Sequence, residues 1–150
     1  MNPQLKSASA TPLTSTIFLG LKATSSPQPR ILYVEDDADS GEMLCALFKF
    51  SRIEVTTAAT ADQAFRLMGE QRFDLYLLDT SLPGLDGFEL CRQMRASDSS
   101  TPILFYSGAG YEADKEKGID AGANDYLVKP DVEGLLGSVT RFVFPGSAAA

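Results

Sequence analysis

The chain has 150 residues, and none of them is histidine. Histidine is the commonest general base near neutral pH and the commonest protein ligand of transition metals. Catalytic triads that depend on histidine, and zinc hydrolases, are therefore excluded. The length predicts one domain with a single sizeable core.

Cysteine is scarce as well. Cys45 and Cys91 form no CxxC pair, and both fall within helical patterns. We interpret them as small, half-buried hydrophobic residues of a reducing compartment rather than as metal ligands or redox groups. This interpretation predicts a cytoplasmic protein.

Residues 1–29 contain no acidic residue, and sixteen of them are Ser, Thr, Ala or Pro. No amphipathic period holds across them, so we expect a disordered N-terminal extension or linker, with a transit-like targeting segment as the alternative. The apolar run at residues 17–21 is too short to span a bilayer. We also expect residues 144–150 to be a disordered tail.

Negative charge is concentrated in the rest of the chain. All 20 acidic residues lie from Glu35 onward, whereas Lys6 and Lys22 are the only basic residues before Arg30. An acidic surface repels nucleic acid and anionic membranes, so we expect direct binding to neither. The same surface suits a domain that concentrates a divalent cation.

Four apolar runs each end in residues that carry chemistry. The runs and the residues that follow them are Ile31–Val34 before Glu35 and Asp36, Leu75–Leu78 before Asp79, Ile103–Tyr106 before Ser107, and Tyr126–Val128 before Lys129. Such runs are typical of strands buried on both faces, and open α/β folds bind ligands at the carboxyl edge of the sheet. A carboxylate nucleophile, an acidic pair, a hydroxyl and an amine at one edge predict a phosphoryl-accepting aspartate.

Helical patterns alternate with these strands and with a further strand at Glu54–Ala58. This alternation predicts a parallel, doubly wound sheet with right-handed crossovers. The first helix is expected to begin near Asp39 or Ser40, and Asp86-Gly87 is expected to form the turn that starts the third. The apolar faces of the helices are predicted to bury Leu44, Leu47 and Phe48; Ala61, Ala64, Phe65 and Met68; Leu90, Cys91 and Met94; and Val132, Leu135, Leu136, Val139 and Val143.

The fourth helical segment, from Tyr111 to Gly122, has a weaker pattern. It is polar, has Gly118 in its interior, and offers only Ala113, Ile119 and Ala121 to a core. Glycine inside a helix costs about 1 kcal/mol relative to alanine. We therefore predict a short and weakly held helix.

Four segments of the chain resemble the receiver domain of two-component response regulators. They are Ile31–Asp37, Phe73–Gly87, Pro102–Gly108 and Gly122–Pro130. Each motif is weak alone, but their order and spacing are specific, and the resemblance covers about residues 30–143. It implies a flavodoxin-like α/β fold with five helices and a five-stranded parallel sheet of order 2-1-3-4-5, which brings Asp36 beside Asp79.

The resemblance also implies a function. Asp79 would accept a phosphoryl group from the phosphohistidine of a histidine kinase or a histidine phosphotransfer protein. Mg²⁺ would be held by Glu35, Asp36, Asp79 and the backbone carbonyl of Ser81. The domain would catalyse its own aspartyl phosphorylation and dephosphorylation without being an enzyme in the usual sense.

The resemblance assigns roles to three further residues. Lys129 and Ser107 would contact the phosphoryl group. Tyr126 would turn inward when Ser107 moves towards the phosphoryl group. The bond between Lys129 and Pro130 resembles the cis peptide of the family. Asp37 matches a position outside the acidic pair and is interpreted as a solvated loop carboxylate.

Signal output is expected through a partner-binding face made by the fourth helix, the fifth strand and the fifth helix. The domain is expected to be a monomer or a weak dimer. No output domain is expected after the last helix, because few residues remain. Ser107 replaces the threonine commoner in the family, and Asp131 stands where an apolar residue is frequent, but neither change removes a required chemical group.

Two other classes of function fit the pattern less well. A phosphohydrolase of the haloacid dehalogenase type also uses an aspartate at a strand end, but it needs a second aspartate two positions later, where this chain has Ser81. A scaffold that works without phosphorylation would be expected to lack the acidic pair or the lysine, and neither is missing.

Overall fold

A computed structural model describes residues 27–146. The predicted N-terminal extension lies outside the described residues except for residues 27–29, and most of the predicted tail also lies outside them. The disorder expected of both segments stays a prediction. Each helix within residues 27–146 falls short of the length and hydrophobicity that spanning a bilayer requires.

Five strands alternate with five helices along the described chain. In order they are β1 (Arg30–Val34), α1 (Ala38–Lys49), β2 (Glu54–Ala58), α2 (Ala61–Glu70), β3 (Leu75–Leu78), α3 (Gly87–Ser97), β4 (Ile103–Ser107), α4 (Glu112–Ala121), β5 (Asp125–Val128) and α5 (Val132–Val143).

All four strand pairings are parallel, and the order across the sheet is β2-β1-β3-β4-β5. The predicted flavodoxin-like fold is therefore confirmed. Val34 pairs with Leu78, and Leu78 with Phe105. This register brings the residues that follow β1 and β3 to the same edge of the sheet, next to the end of β4.

The sheet separates two hydrophobic layers. Leu32 and Val34 of β1 face the layer under α2, α3 and α4, whereas Ile31 and Tyr33 face the layer under α1 and α5. The predicted helix faces supply buried side chains to both layers, namely Leu44, Phe48, Ala61, Ala64, Leu90, Cys91, Met94, Leu135 and Val139. Leu47, Phe65, Met68, Leu136 and Val143 are partly buried against them.

The start of α1 differs from the prediction. Asp37, not Asp39 or Ser40, is the N-cap, and its carboxylate accepts hydrogen bonds from the Ser40 backbone N–H at 3.1 Å and from the Ser40 hydroxyl at 2.6 Å. Asp37 is exposed, as predicted, but it is not a free loop carboxylate. It can cap because its backbone is extended (φ −85°, ψ 114°), which leaves the first helical N–H groups pointing at its side chain.

Asp86 caps α3 as expected, accepting a hydrogen bond from the Glu89 backbone N–H at 2.8 Å. Of the α4 residues predicted to reach the core, only Ala121 does so. Ala113 is exposed, and Ile119 keeps 51% of its surface accessible.

Gly118 takes the place of those residues in the α4 core face. A Cβ atom at this position would lie 2.8 Å from Cδ2 of Tyr126 and 3.1 Å from Cδ2 of Phe105. The glycine therefore does more than weaken the helix, because it lets two aromatic rings pack directly against the helix backbone.

We expect Gly118→Ala to lower the free energy of unfolding by about 1–3 kcal/mol, because the methyl group overpacks the Tyr126 and Phe105 rings. The matched control is Gly137→Ala on α5, where a Cβ atom meets nothing within 4 Å. Higher helix propensity should stabilise this control by up to about 1 kcal/mol. Urea unfolding followed by circular dichroism measures both, and an equal gain in the two variants would contradict the packing of Gly118.

Candidate functional site

Asp79 lies at the end of β3 beside the two acidic residues that follow β1. One carboxylate oxygen from each of Glu35, Asp36 and Asp79 lies within 4.8 Å of the others. Glu35 and Asp79 are buried, whereas Asp36 is exposed. The structure therefore brings the three predicted carboxylates together at the carboxyl edge of the sheet.

Lys129 reaches this cluster from the end of β5. Its Nζ atom lies 2.6 Å from Oε1 of Glu35 and 3.6 Å from Oδ2 of Asp79. The peptide bond between Lys129 and Pro130 is cis. The ammonium group thus compensates Glu35 more closely than Asp79.

Glu35 has two further hydrogen-bond donors. The Tyr33 hydroxyl donates to Oε1 at 3.1 Å, and the Asp37 backbone N–H donates to Oε2 at 3.2 Å. Tyr33 is fully buried and was not among the predicted site residues. Its signal in the sequence is position, because residues two apart in a strand share a face and Tyr33 is two residues before Glu35.

Ser107 contributes a buried hydroxyl from the end of β4. Its Oγ atom lies 2.6 Å from Oγ1 of Thr80 and accepts a hydrogen bond from the Ala109 backbone N–H at 3.1 Å. Thr80 was not predicted as a site residue either. The available signal was a hydroxyl residue directly after Asp79, where the buried strand ends.

Tyr126 lies inward, with its ring buried between β4 and α4. Its hydroxyl donates to the carbonyl oxygen of Ala109 at 2.5 Å, and its ring centroid lies 5.5 Å from that of Phe105. Tyr126 therefore joins the loop after β4 to the α4 surface. The rotation proposed for this side chain stays a prediction.

Ser81 lies on the exposed loop that follows Thr80. The loop ends at Gly87, whose N–H donates to the Thr80 carbonyl at 2.8 Å. A Cβ atom at Gly87 would lie 2.0 Å from the carbonyl oxygen of Asp79, so only glycine allows this close approach. The Asp79–Thr80 backbone is thereby held in place.

Burial and charge shift the pKa values of the site in opposite directions. Burial, together with the neighbouring Glu35 charge, raises the pKa of Asp79 in spite of Lys129. Burial also opposes ionisation of Glu35, but the hydrogen bonds from Lys129, Asp37 and Tyr33 outweigh it and lower the pKa of Glu35. The two nearby carboxylates likewise outweigh burial at Lys129 and raise its pKa.

The donor set of this cluster suits a hard divalent cation. Three carboxylates face one ammonium group, so negative charge is in excess. Carboxylate oxygens are the ligands that Mg²⁺ prefers, and the exposure of Asp36 leaves room for the water that Mg²⁺ retains. The residues present fit a magnesium ion.

Residues 31–140 match the response regulator receiver domain family. The chain belongs to this family. The receiver domain is 42% identical over 106 residues to the transcriptional activator protein PfeR of Pseudomonas aeruginosa. The matched residues are 71% of this chain and 34% of PfeR. The domain is 39% identical over 102 residues to the transcriptional regulatory protein AfsQ1 of Streptomyces coelicolor, covering 68% of the chain and 45% of that protein.

The chain thus spans less than half the length of these two relatives. Its fold also matches solved receiver domains over nearly their whole length. One is the receiver domain of Francisella response regulator 1452, with a TM-score of 0.74 and 26% identity over 79% of this chain and 99% of that one.

Another is the receiver domain of a sensor histidine kinase from Pseudomonas aeruginosa, with a TM-score of 0.69 and 33% identity over 77% of this chain and 98% of that one. That structure has a magnesium ion coordinated in its active site cleft. The receiver domain described here places its own acidic cluster at the carboxyl edge of the same fold.

We expect Asp79→Asn to stabilise the receiver domain at pH 7–8, by about 1 kcal/mol, in buffer with a chelator. Asp79 has a raised pKa in the folded state, so the stability it contributes is present below its unfolded pKa and is lost as pH rises through the folded pKa. The gain should shrink as the pH falls towards the ordinary pKa of an aspartate, because the raised pKa of Asp79 favours the protonated carboxyl in the folded state.

Thermal unfolding across this pH range measures the difference between variant and wild type. The control is Asp62→Asn, which changes an exposed aspartate in the first turn of α2. A stabilisation by Asp79→Asn that stays constant from pH 4 to 8 would contradict the assigned charge state.

Proposed function

We propose that Asp79 of this receiver domain accepts a phosphoryl group from the phosphohistidine of a histidine kinase or a histidine phosphotransfer protein. The observation that carries the proposal is the surroundings of the Asp79 carboxylate. It is buried beside the Lys129 ammonium group, the Ser107 hydroxyl and the acidic pair Glu35 and Asp36. No other carboxylate of the described residues combines these neighbours.

The proposed step is an in-line displacement. A carboxylate oxygen of Asp79 forms a bond to phosphorus while the bond between phosphorus and the histidine nitrogen breaks, and the nitrogen keeps the electron pair. Lys129, whose Nζ atom lies 3.6 Å from Oδ2 of Asp79, would offset charge on the phosphoryl oxygens. Ser107 would donate its hydroxyl to one of them.

Glu35, Asp36, Asp79 and the backbone carbonyl of Ser81 would hold a magnesium ion. When bound, such an ion reduces the repulsion between the attacking carboxylate and the phosphoryl oxygens. Glu35 would have a second role, since its hydrogen bond to Lys129 holds the ammonium group next to Asp79. Hydrolysis of the aspartyl phosphate would reset the domain without a separate enzyme.

We further propose that the phosphorylated domain changes its binding to a protein partner through α4, β5 and α5. Among the α4 residues, Gly118 and Ala121 are the buried ones, so little apolar surface anchors this helix. Elements with few buried contacts have low local stability and respond to small strains. Ser107 and Tyr126 both join the site to the loop before α4.

The acidic surface supports a protein partner rather than nucleic acid for this domain itself. Relatives such as PfeR are transcriptional regulators as whole proteins, and this chain matches 34% of PfeR. The cysteines Cys45 and Cys91 are both free, which supports a cytoplasmic location. We propose that the domain is a monomer or a weak dimer.

Incubation with phosphoramidate or acetyl phosphate and Mg²⁺ should add one phosphoryl group to the wild-type chain, and Asp79→Asn should add none. Labelling should fall when Mg²⁺ is replaced by a chelator, because charge repulsion at Asp79 is then uncompensated. Intact-mass spectrometry measures both results. Asp62→Asn is the matched control and should be labelled like the wild type; undiminished labelling of Asp79→Asn would refute the assignment.

Beryllofluoride with Mg²⁺, which mimics an aspartyl phosphate, should change amide hydrogen exchange between residues 109 and 126. The physical reason is that Ser107 and Tyr126 connect Asp79 to the weakly anchored α4. Asp79→Asn with the same reagents is the control and should show no change. Changes confined to α1 and α2 would refute the proposed output face.

A further inference from the structure

Thr80 has a buried hydroxyl that takes no part in the phosphotransfer proposed above. Its side chain points to Ser107, and the two hydroxyl oxygens lie 2.6 Å apart. Thr80 is 8% exposed and Ser107 is 1% exposed, so water does not compete for this bond. Buried hydroxyl groups are nearly always hydrogen-bonded, and either oxygen of this pair could supply the proton.

The backbone of Thr80 is held on both sides. Its N–H donates to Oδ1 of Asp79 at 2.8 Å, and its carbonyl accepts from the N–H of Gly87 at 2.8 Å. The close approach of Gly87, whose missing Cβ would overlap the Asp79 carbonyl, allows little movement of this peptide. The Thr80 hydroxyl therefore reaches Ser107 from a fixed position relative to Asp79.

The hydrogen-bonding capacity of Ser107 restricts the direction of the bond. A serine hydroxyl has one proton and can accept two hydrogen bonds. The Ala109 N–H supplies one of these at 3.1 Å. If Thr80 supplies the other, both acceptor positions of Ser107 are filled, and its single proton is free to go to Asp79, with which Ser107 also hydrogen-bonds.

We propose that Thr80 is a positioning residue for phosphotransfer to Asp79, donating its hydroxyl proton to Ser107 so that Ser107 donates its own to the phosphoryl group. This inference rests on the proposed function. Thr80 acts through Ser107 and contacts the reacting carboxylate only through its backbone N–H. Its side chain adds orientation and polarisation to the Ser107 hydroxyl.

The Tyr126 hydroxyl lies in the same group: burial raises its pKa, and hydrogen bonding with Ser107 and Thr80 partly offsets that effect. Its own proton goes to the Ala109 carbonyl. Tyr126 is therefore the competing acceptor for the Thr80 proton. If Thr80 donates to Ser107, replacing Ser107 should remove the effect of a Thr80 substitution. If Thr80 donates to Tyr126, replacing Tyr126 should remove it.

The test compares Thr80→Val, which keeps the shape but lacks the hydroxyl, with Thr80→Ser, which keeps the hydroxyl. The initial rate of Asp79 labelling by phosphoramidate is measured at saturating Mg²⁺, and Mg²⁺ affinity is measured by calorimetry. Thr80→Val should slow labelling about three- to tenfold, as expected for one lost hydrogen bond, and should leave Mg²⁺ affinity unchanged. Thr80→Ser should restore most of the rate.

A double-mutant cycle separates positioning from a general structural effect. In a Ser107→Ala background, Thr80→Val should cause no further loss, whereas in a Tyr126→Phe background the loss should persist. If Thr80→Val does not fold, Thr80→Ala takes its place in the same cycle.

The inference alone would be overturned by labelling of Thr80→Val at the wild-type rate, by a loss that persists in Ser107→Ala, or by a loss that disappears in Tyr126→Phe. Weaker Mg²⁺ binding that accounts for the slower labelling would do the same. Absence of labelling in the wild-type chain would overturn the proposed function and this inference with it.

Discussion

The ion pair between Lys129 and Glu35 is the interaction on which the site depends. It joins the end of the fifth strand to the end of the first, 94 residues apart in sequence. Without this cation, the buried carboxylates of Glu35 and Asp79 would repel each other at short range with little screening by water. The pair therefore permits an acidic cluster to form inside a folded domain, while its bias towards Glu35 leaves Asp79 less compensated.

A second network, made of hydroxyl groups, lies on the other side of Asp79. Thr80, Ser107 and Tyr126 connect the end of β3 to the loop after β4 and to the surface of α4. Gly118 is part of this connection, because its missing side chain leaves room for the Tyr126 ring. Charge compensation thus acts on one side of the Asp79 carboxylate, and oriented hydroxyl groups act on the other. The hydroxyl side leads to α4, the helix with little apolar anchoring.

Much of the fold could be predicted because its signals are local. Apolar runs such as Leu75–Leu78 are buried strands, and the Asp86-Gly87 turn begins a helix as expected. The start of α1 and the core face of α4 could not be predicted in the same way. Asp37 caps α1 because of its backbone conformation. Gly118 is buried because two rings from the strands β4 and β5 pack on it.

Patterns of neighbouring residues were enough to predict the strand ends, and with them the chemical groups that stand there and their order. The acidic residues, the hydroxyl of Ser107 and the amine of Lys129 were all evident from these patterns. How these groups pair depended on the fold, which places Lys129 closer to Glu35 than to Asp79 and brings Tyr33 and Thr80 into the site. Hydrogen-bond partners and charge compensation depend on distances between segments far apart in the chain, which no local pattern contains.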